Sequence, residues 1–305
     1  MSKFMLGIGN TPLIKIKDSP KIYAKLEGQN LFGSAKDRAA YYIINKLLTD
    51  GIINRNTEIV ESSSGNFAIA LAGVCNLLKL NFTCVVDPLL SETNKKILKC
   101  FGVNLVCVEK PDENNNYLKS RLDKVSEIIT NKKNSYWINQ YDNPLIPNAY
   151  QTISKEIFEQ LENVDYIFVP VSTCGTIAGI SQHAKFYHPN VKIIAVDLDC
   201  SNIFYKAKTH QNIPGMGLFK KPGNLENALI DDVVIVSEKE CIQECHFLAS
   251  KGILVGASSG GTVSAIRQYS YKFNEYDTII ALMPDRGERY LENVFCEDWI
   301  KNHYK

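Results

Sequence analysis

The sequence predicts an α/β fold, in which mostly parallel sheets are covered by helices on both faces. Two observations indicate this class. Short apolar runs rich in β-branched residues recur along the chain, and between them lie longer segments with apolar residues at three- and four-residue spacing. Continuous apolar runs are typical of parallel strands buried on both faces, and the longer segments are typical of amphipathic helices. A chain of 305 residues is expected to form one or two domains.

The predicted strands share a short length and an apolar, β-branched composition: 57–60, 82–86, 105–108, 166–169, 192–196, 233–236 and 278–282. The clearest predicted helix is 39–48, where apolar side chains recur on one face. Strands that alternate with helices along a chain favour βαβ units and therefore a parallel sheet.

Composition and charge exclude several classes of function. The formal net charge is only +1, which argues against a protein that binds nucleic acid or anionic membranes through a strong positive potential. The longest apolar stretch, 68–78, is shorter than the roughly 18–20 residues that span a bilayer. The N-terminal residues lack the apolar run and cleavage site of a secretory signal, so we expect a cytoplasmic protein.

Cysteine usage agrees with a reducing compartment. The nine cysteines include no Cys-x-x-Cys pair, and most lie in apolar runs where a thiol acts as a small hydrophobic group. Cys241, Cys245 and His246 have the spacing of ligands on one helix. A zinc site needs further partners at a recognisable spacing, so we interpret these residues as core and expect no metal.

Four predicted strand-to-helix or loop-to-helix junctions are rich in Gly, Ser, Thr or Asn. Helix N-termini bind ligands because their N–H groups are unpaired and their dipole end is positive. In the first junction, Gly33–Arg38, Lys36 falls in the first turn of the predicted helix. A cation is unfavourable there, which lowers the pKa of the amine and suits a lysine that forms a Schiff base. The alternative is a solvated surface lysine.

The next two junctions offer hydroxyls and backbone N–H groups. The second follows strand 57–60 and contains Ser62, Ser63, Ser64, Gly65 and Asn66. Capping a helix needs only one such side chain, so the surplus favours a bound carboxylate. The third follows strand 166–169 and contains Ser172, Thr173, Cys174, Gly175 and Thr176. Small residues let backbone N–H groups converge there, which is typical of a phosphate cradle.

The fourth junction, Gly256–Thr262, matches the Gly-x-Ser-x-Gly pattern of the α/β-hydrolase nucleophile elbow. A serine hydrolase with Ser258 as nucleophile, Asp285 and His303 is therefore a rival hypothesis. The chain after Ser258 is too short for the strands and helices that carry such a triad, and a His-Gly-Gly-Gly oxyanion loop is absent. The P-loop and dinucleotide-binding patterns are also absent.

Together with Gly9–Leu13 and Gly287–Leu291, the four junctions in this order resemble the fold-type II pyridoxal-phosphate (PLP) enzymes of the cysteine synthase and cystathionine β-synthase family. The resemblance covers nearly the whole chain. It implies a two-lobed fold similar to the tryptophan synthase β subunit, with PLP between the lobes. The large PLP-binding lobe would comprise 1–39 and 148–305, and a smaller mobile lobe, 40–147, would carry the Ser/Asn substrate loop.

The resemblance also implies roles for the junction residues. Lys36 would hold PLP and act as general base, Ser172–Thr176 would bind the PLP phosphate, Asn66 would lie near the ring oxygen and Ser258 would face the pyridine nitrogen. Ser62–Gly65 and Gln140 would bind the substrate carboxylate. The expected reaction is a β-replacement on an O-activated L-serine, with small amino acids as substrates and a homodimer as the assembly. A catalytically silent relative that binds a partner is disfavoured by the intact Lys36.

A closer resemblance involves 85–88, 137–141, 170–173 and 284–287, which are similar to the N-(2-amino-2-carboxyethyl)-L-glutamate synthases of staphyloferrin B siderophore pathways. It implies O-phospho-L-serine and L-glutamate as substrates, leading to a 2,3-diaminopropionate precursor. Arg121, Tyr141 and Ser172 are then candidates to bind phosphate or glutamate, although Arg121 also fits a solvated helix residue. The alternative is a cysteine synthase that uses sulfide, with O-acetylserine or O-phosphoserine as donor.

Overall fold

The computed structural model describes residues 7–112, 117–206 and 211–304, and its chain divides into two compact units. The small unit contains Lys36–Leu145, and the large unit contains residues 7–35 together with the chain from Ile146 onwards. The sequence-based division at 39/40 and 147/148 differs from these boundaries by two to four residues. The mobility of the smaller lobe stays a prediction.

In chain order the strands and helices are β1 (Leu13–Lys17), β2 (Lys21–Leu26), α1 (Lys36–Thr49), β3 (Glu58–Ser62), α2 (Asn66–Leu78), β4 (Asn81–Val86), α3 (Glu92–Cys100), β5 (Asn104–Cys107), α4 (Tyr117–Asn131), β6 (Ser135–Trp137), α5 (Leu145–Gln160), β7 (Tyr166–Pro170), α6 (Gly175–Tyr187), β8 (Lys192–Leu198), β9 (Asp232–Val236), α7 (Glu238–Ser250), α8 (Ala257–Gln268), β10 (Thr278–Met283) and α9 (Glu297–His303). Each predicted strand is present. No helix in the described residues is long and apolar enough to cross a membrane.

The small unit is built on a parallel sheet with the strand order β5-β4-β3-β6. Every residue of β3 is buried, including the polar residues Glu58, Glu61 and Ser62 beside the apolar pair of Ile59 and Val60. Val60 and Val85 pack against Val125 of α4, and together they form a core cluster of this unit. Because β3 and β4 are parallel, their carboxyl ends lie at the same edge of the sheet.

The large unit contains a six-stranded sheet with the order β1-β2-β10-β7-β8-β9. Strand β1 runs antiparallel to β2, and the other pairs are parallel. Helix α8 is buried from Ala257 to Ile266. Ala257 and Ile266 share one core cluster with Phe168 of β7 and Ala281 of β10. The predicted α/β class, with two mostly parallel sheets covered by helices, is confirmed.

Candidate active site

Each of the four junctions lies at a helix start. Lys36 is the first residue of α1, Asn66 is the first residue of α2, Gly175 is the first residue of α6, and Ser258 is the second residue of α8. Lys36 is half-buried and Ser258 is buried. The predicted helix start at 39 lies three residues after the observed start of α1 at Lys36.

The turn that precedes Lys36 is fixed by backbone contacts to a distant segment. The amide of Ala35 donates to the carbonyl oxygen of Pro284 at 2.8 Å, and Ser34 forms an antiparallel bridge with Asp285. Gly33 has a φ of +91°, which glycine adopts without strain. The direction in which the chain enters α1 is therefore set by 284–285.

Two arginines strengthen this arrangement. Arg286 Nε donates to the carbonyl oxygen of Gly28 at 2.6 Å, and Arg289 Nη2 donates to the carbonyl oxygen of Phe32. A Cβ atom on Gly28 would lie 3.0 Å from the carbonyl carbon of Asp285, so the close approach favours glycine. Charged donors to carbonyl oxygens give stronger hydrogen bonds than neutral donors. The sequence reasoning used 284–291 for the family resemblance and for the rival hydrolase triad, and it missed this positioning role.

The serine loop before α2 is held through its backbone. Its three consecutive carbonyl oxygens each accept a hydrogen bond of 3.0 Å from a side chain: Gln140 Nε2 to Ser62, Cys84 Sγ to Ser63 and Asn94 Nδ2 to Ser64. The Oγ atom of Ser62 is buried and has no hydrogen-bond partner among the described residues. Buried polar groups are nearly always bonded, so this hydroxyl suits contact with a ligand.

Helix capping does not account for the hydroxyls at these junctions. The N-cap residues of α2 and α8 are Gly65 and Gly256, and the N-cap residue of α6, Cys174, makes no side-chain cap. By contrast, Ser91 caps α3 and Ser237 forms a capping box with Glu240 in α7. Helix starts without side-chain caps present N–H groups that an anion can bind.

The loop Ser172–Thr176 has the features of a phosphate cradle. Ser172 and Thr173 are partly exposed, and the loop leads into the N-terminus of α6. Cys174 has a φ of +59° in the left-handed region. A Cβ atom on Gly175 would lie 2.2 Å from Ile146 Cγ2, so only glycine fits there. Val171 immediately precedes the loop, and its carbonyl oxygen accepts a hydrogen bond from the amide of Gly217 at 2.8 Å.

The surroundings of Ser258 do not form a hydrolase site. A nucleophile elbow follows a strand, whereas Val255 forms only a single bridge, with Arg286. His303 is exposed and its Nδ1 lies 2.8 Å from the carbonyl oxygen of Trp299. The Asp285 carboxylate accepts a hydrogen bond from the hydroxyl of Tyr290. Nothing in this geometry assembles the proposed triad, so the hydrolase hypothesis is wrong.

Arg121 forms a largely buried ion pair in the small unit. Its Nε atom lies 3.2 Å from Asp87 Oδ2, and the exposed fractions of the two side chains are 12% and 6%. Arg121 is therefore not the solvated helix residue that the sequence left open. Burial raises the pKa of Tyr141 to about 12, and the charge of Arg121 opposes that rise. Tyr141 therefore stays a neutral donor near a guanidinium.

Glu61 is a further residue of this region, and the sequence reasoning gave it no role. It is fully buried at the end of β3, and burial raises its pKa to about 8, although hydrogen bonds from Ser62, Trp137 and Gln140 oppose the rise. β3 also contains Glu58 and Ser62, so the strand sequence alone does not single out Glu61. A buried carboxyl group of this kind is found at functional sites more often than elsewhere.

A cavity of about 560 Å³ lies at the opposite, amino-terminal ends of the small unit's strands. Its polar lining includes Glu58, Asn81, Asn104 and Lys132, and none of the predicted site residues. The Glu58 carboxylate is already bonded to Thr83 and Lys132. Ligands of parallel α/β sheets bind at the carboxyl ends of the strands, so this cavity is not where a ligand is expected.

In the described residues, no group of three or more His, Cys, Asp or Glu side chains is placed to hold a metal ion. Cys241 and Cys245 are buried on α7, and burial raises the pKa of Cys245 to about 12. His246 Nε2 lies 2.8 Å from the carbonyl oxygen of Val294. The two cysteines belong to the core of the large unit, as expected, whereas His246 is exposed, so its assignment to the core is wrong.

Comparison with known proteins gives a family. The model of a family described as pyridoxal-phosphate dependent enzyme matches residues 4–285. O-acetylserine dependent cystathionine beta-synthase from Helicobacter pylori is 30% identical, with a TM-score of 0.88 and coverage of 96% of this chain and 98% of that chain. O-ureido-L-serine synthase is 26% identical, with a TM-score of 0.89 and coverage of 99% of both chains.

Cysteine synthase from Entamoeba histolytica is 27% identical, with a TM-score of 0.89 and coverage of 99% of this chain and 91% of that chain. All three structures match this chain over nearly its full length. The chain therefore belongs to the family of pyridoxal-phosphate dependent enzymes, and it is a β-replacement enzyme of the cysteine synthase type that uses PLP.

Proposed function

We propose that this enzyme replaces the phosphate of O-phospho-L-serine by the amine of L-glutamate, giving N-(2-amino-2-carboxyethyl)-L-glutamate and phosphate. The observation that carries this proposal is the buried pair of Arg121 and Asp87, together with the buried hydroxyl of Tyr141 in the same unit. A dianionic leaving group and a dicarboxylate acceptor both call for fixed cationic or donor groups. Charge-assisted hydrogen bonds to such groups contribute about 1.5–3 kcal/mol each.

The chain's own residues fit the cofactor. Ser172–Thr176 would bind its phosphate, since the small residues and the uncapped start of α6 supply N–H and hydroxyl donors. Asn66 and Ser258 would contact the ring, and Ser258 is a neutral hydroxyl that does not enforce a protonated ring. Lys36 would attach to the cofactor through its amine. When bound, PLP supplies the electron sink that makes the Cα proton of an amino acid acidic.

Each group of the substrate would then meet residues of this chain. The Ser62–Gly65 loop, with its carbonyl oxygens already engaged, would donate to the substrate carboxylate at the start of α2. Lys36 would accept the Cα proton as general base. Arg121, Tyr141 and Ser172 would bind the leaving phosphate or the carboxylates of glutamate. The bond from Cβ to the phosphate oxygen would break as phosphate leaves, and the glutamate amine would add at Cβ and lose one proton to solvent. Lys36 would then return the proton to Cα, which completes the replacement.

The experiment mixes the holoenzyme with O-phosphoserine or O-acetylserine and then adds glutamate or sulfide, while absorbance and products are followed. We expect O-phosphoserine to change the cofactor spectrum and glutamate to restore it with formation of a new amino-acid adduct. If O-acetylserine and sulfide react far faster, the enzyme is a cysteine synthase.

A cysteine synthase is the second candidate, and a specific observation favours it. The similar structures include a cysteine synthase from Entamoeba histolytica and an O-acetylserine dependent enzyme from Helicobacter pylori.

One residue argues against this second candidate. Phe67, which stands where cysteine synthases usually have Thr, is buried in the first turn of α2. This departure from the cysteine synthase pattern beside Asn66 disfavours a plain cysteine synthase.

We also propose a cytoplasmic homodimer. The structure forms no disulfide among its nine cysteines, all of which lie in the described residues. That state suits a reducing compartment. The dimer is implied by the family resemblance, and light scattering of the purified holoenzyme tests it.

A further inference from the structure

The carboxyl group of Glu61 joins two segments of the small unit. One carboxyl oxygen, Oε1, accepts hydrogen bonds from the amide of Ser62 at 2.7 Å and from Trp137 Nε1 at 3.4 Å. The other oxygen, Oε2, accepts a hydrogen bond from the amide of Gln140 at 3.2 Å. The side chain is fully buried, and among the described residues no Lys or Arg pairs with it. Its partners are backbone and indole N–H groups.

These contacts begin where the strand ladder stops. The parallel pairing of β3 with β6 ends at Val60 and Trp137, and the last backbone bond runs from the amide of Ile138 to the carbonyl oxygen of Val60. Asn139 then adopts a φ of +54°, which takes the chain out of the strand conformation. Beyond that point, the Glu61 side chain makes the link that backbone pairing can no longer make.

The two segments are also joined by a second hydrogen bond, from Gln140 Nε2 to the carbonyl oxygen of Ser62 at 3.0 Å. Ser62 and Gln140 thus contact each other directly and also share Glu61. Either residue can move only if these bonds break, and an unpaired buried N–H group or carboxyl group is costly. The geometry therefore fixes the Ser62–Gly65 loop relative to Gln140.

We propose that Glu61 is a positioning residue that holds the Ser62–Gly65 loop and Gln140 in the arrangement that binds the carboxylate of the amino-acid substrate. The inference rests on the proposed function only in assigning the substrate carboxylate to this loop. It holds for either donor, because O-phosphoserine and O-acetylserine carry the same carboxylate. In this role Glu61 would act through Ser62 and Gln140, to which it is hydrogen-bonded, and not by contact with the substrate.

The test compares Glu61→Gln with Glu58→Gln. Both glutamates are buried in β3, but Glu58 lies at the amino end and bonds to Thr83 and Lys132, away from the loop. The amide of Gln keeps one oxygen that can accept a hydrogen bond from an N–H group. Its NH2 group faces the remaining N–H partner and cannot accept from it, so at least one hydrogen bond is lost. The Kd of L-serine, whose hydroxyl is a poor leaving group, is measured by calorimetry on each holoenzyme, and the Kd of PLP is measured by absorbance on each apoenzyme.

We expect Glu61→Gln to raise the L-serine Kd by about ten-fold or more, as the loss of one buried bond implies. The PLP Kd should change by less than about two-fold, and Glu58→Gln should leave both Kd values close to the wild type. An unchanged L-serine Kd in Glu61→Gln, or equal weakening in both variants, overturns the proposal. If Glu61→Gln does not fold, Trp137→Phe removes the 3.4 Å bond alone, and a smaller rise in the L-serine Kd is expected.

The two proposals fail in different ways. A wild-type enzyme that binds L-serine and O-acetylserine but does not react with O-phosphoserine and glutamate contradicts the proposed function. The role of Glu61 still stands in that case if Glu61→Gln alone weakens L-serine binding. A wild-type holoenzyme that binds no amino acid overturns both proposals.

Discussion

The side-chain amide of Gln140 donates to the carbonyl oxygen of Ser62 at 3.0 Å, so it supports the serine loop as well as being a candidate for the substrate carboxylate. In Gln140→Glu, a carboxylate replaces the amide donor and faces that carbonyl oxygen. We expect the KM for the amino-acid donor to rise by about ten-fold or more because the loop loses its support. Steady-state kinetics measures the rise, and an absorption spectrum checks that cofactor content is unchanged. An unaltered KM would show that the contact has no role in binding.

Reduction of the holoenzyme with borohydride should attach the cofactor to Lys36 and to no other lysine. Lys36→Ala should abolish this labelling, because no other amine begins α1. Lys46→Ala is the matched control, since Lys46 lies on the same helix in an exposed ion pair with Asp50. Peptide mass spectrometry identifies the labelled residue. Labelling that persists in Lys36→Ala would contradict the assignment.

Arg121→Met should lower kcat/KM for O-phosphoserine and leave kcat/KM for O-acetylserine nearly unchanged. Loss of one charge-assisted hydrogen bond to phosphate costs about 1.5–3 kcal/mol, so kcat/KM for O-phosphoserine should fall by roughly 10- to 150-fold. Lys124→Met is the control, because Lys124 lies on the same helix and pairs with Glu127 at the surface. Equal losses for O-phosphoserine and O-acetylserine would instead mean that Arg121 supports the fold through Asp87.

Cys174 occupies a left-handed conformation at the start of α6, with a φ of +59°. Non-glycine residues lose about 1–2 kcal/mol there, so the usual order of Ala over Gly in helices should reverse. We expect Cys174→Gly to be more stable than Cys174→Ala by about 1 kcal/mol. Urea unfolding of the two variants measures the difference. If the Ala variant is the more stable one, the strain is relieved in solution.

The stability of the small unit should depend on pH through Glu61. Its pKa is about 8 in the folded protein and near 4.5 when unfolded, so the folded state binds more protons between these values. The free energy of unfolding therefore falls as pH rises from about 4.5 to 8, by about 1.4 kcal/mol for each unit of pKa difference.

Cys84 and Tyr141 interact electrostatically with Glu61, and burial raises the pKa of each of these two groups to about 12. The thiol and the phenol therefore stay protonated between pH 5 and 8. Glu61→Gln should then flatten the pH dependence of the free energy of unfolding, measured with urea over this range. A slope that is equal in the wild type and in Glu61→Gln would assign it to another group.

The sequence predicted the buried parallel strands well, because burial on both faces demands a continuous apolar run. It missed β1, β2 and β6. In β2, charged residues interrupt the apolar pattern, yet Lys25 is fully buried and pairs with Glu156 at 2.7 Å. A partner 131 residues away neutralises the lysine, and no local pattern can reveal it.

The candidate residues show the same limit. The hydroxyl-rich junctions were visible because helix starts have a local signature of Gly, Ser and Thr. Glu61 was not, since its contact with Gln140 spans 79 residues. Arg121 was ambiguous for a similar reason: the helical pattern places it on α4 but does not show that Asp87 lies beside it.

The hydrogen bond from Arg286 to the carbonyl oxygen of Gly28 spans 258 residues, and that from Ala35 to Pro284 joins the same two regions. During synthesis, the turn before Lys36 therefore has no partners until nearly the whole chain has left the ribosome. An emerging chain would expose Lys36 without the support that fixes the entry into α1. We therefore expect the proposed attachment of the cofactor to Lys36 to follow completion of the polypeptide, because a chain shortened before Pro284 would keep Lys36 but could not form its turn.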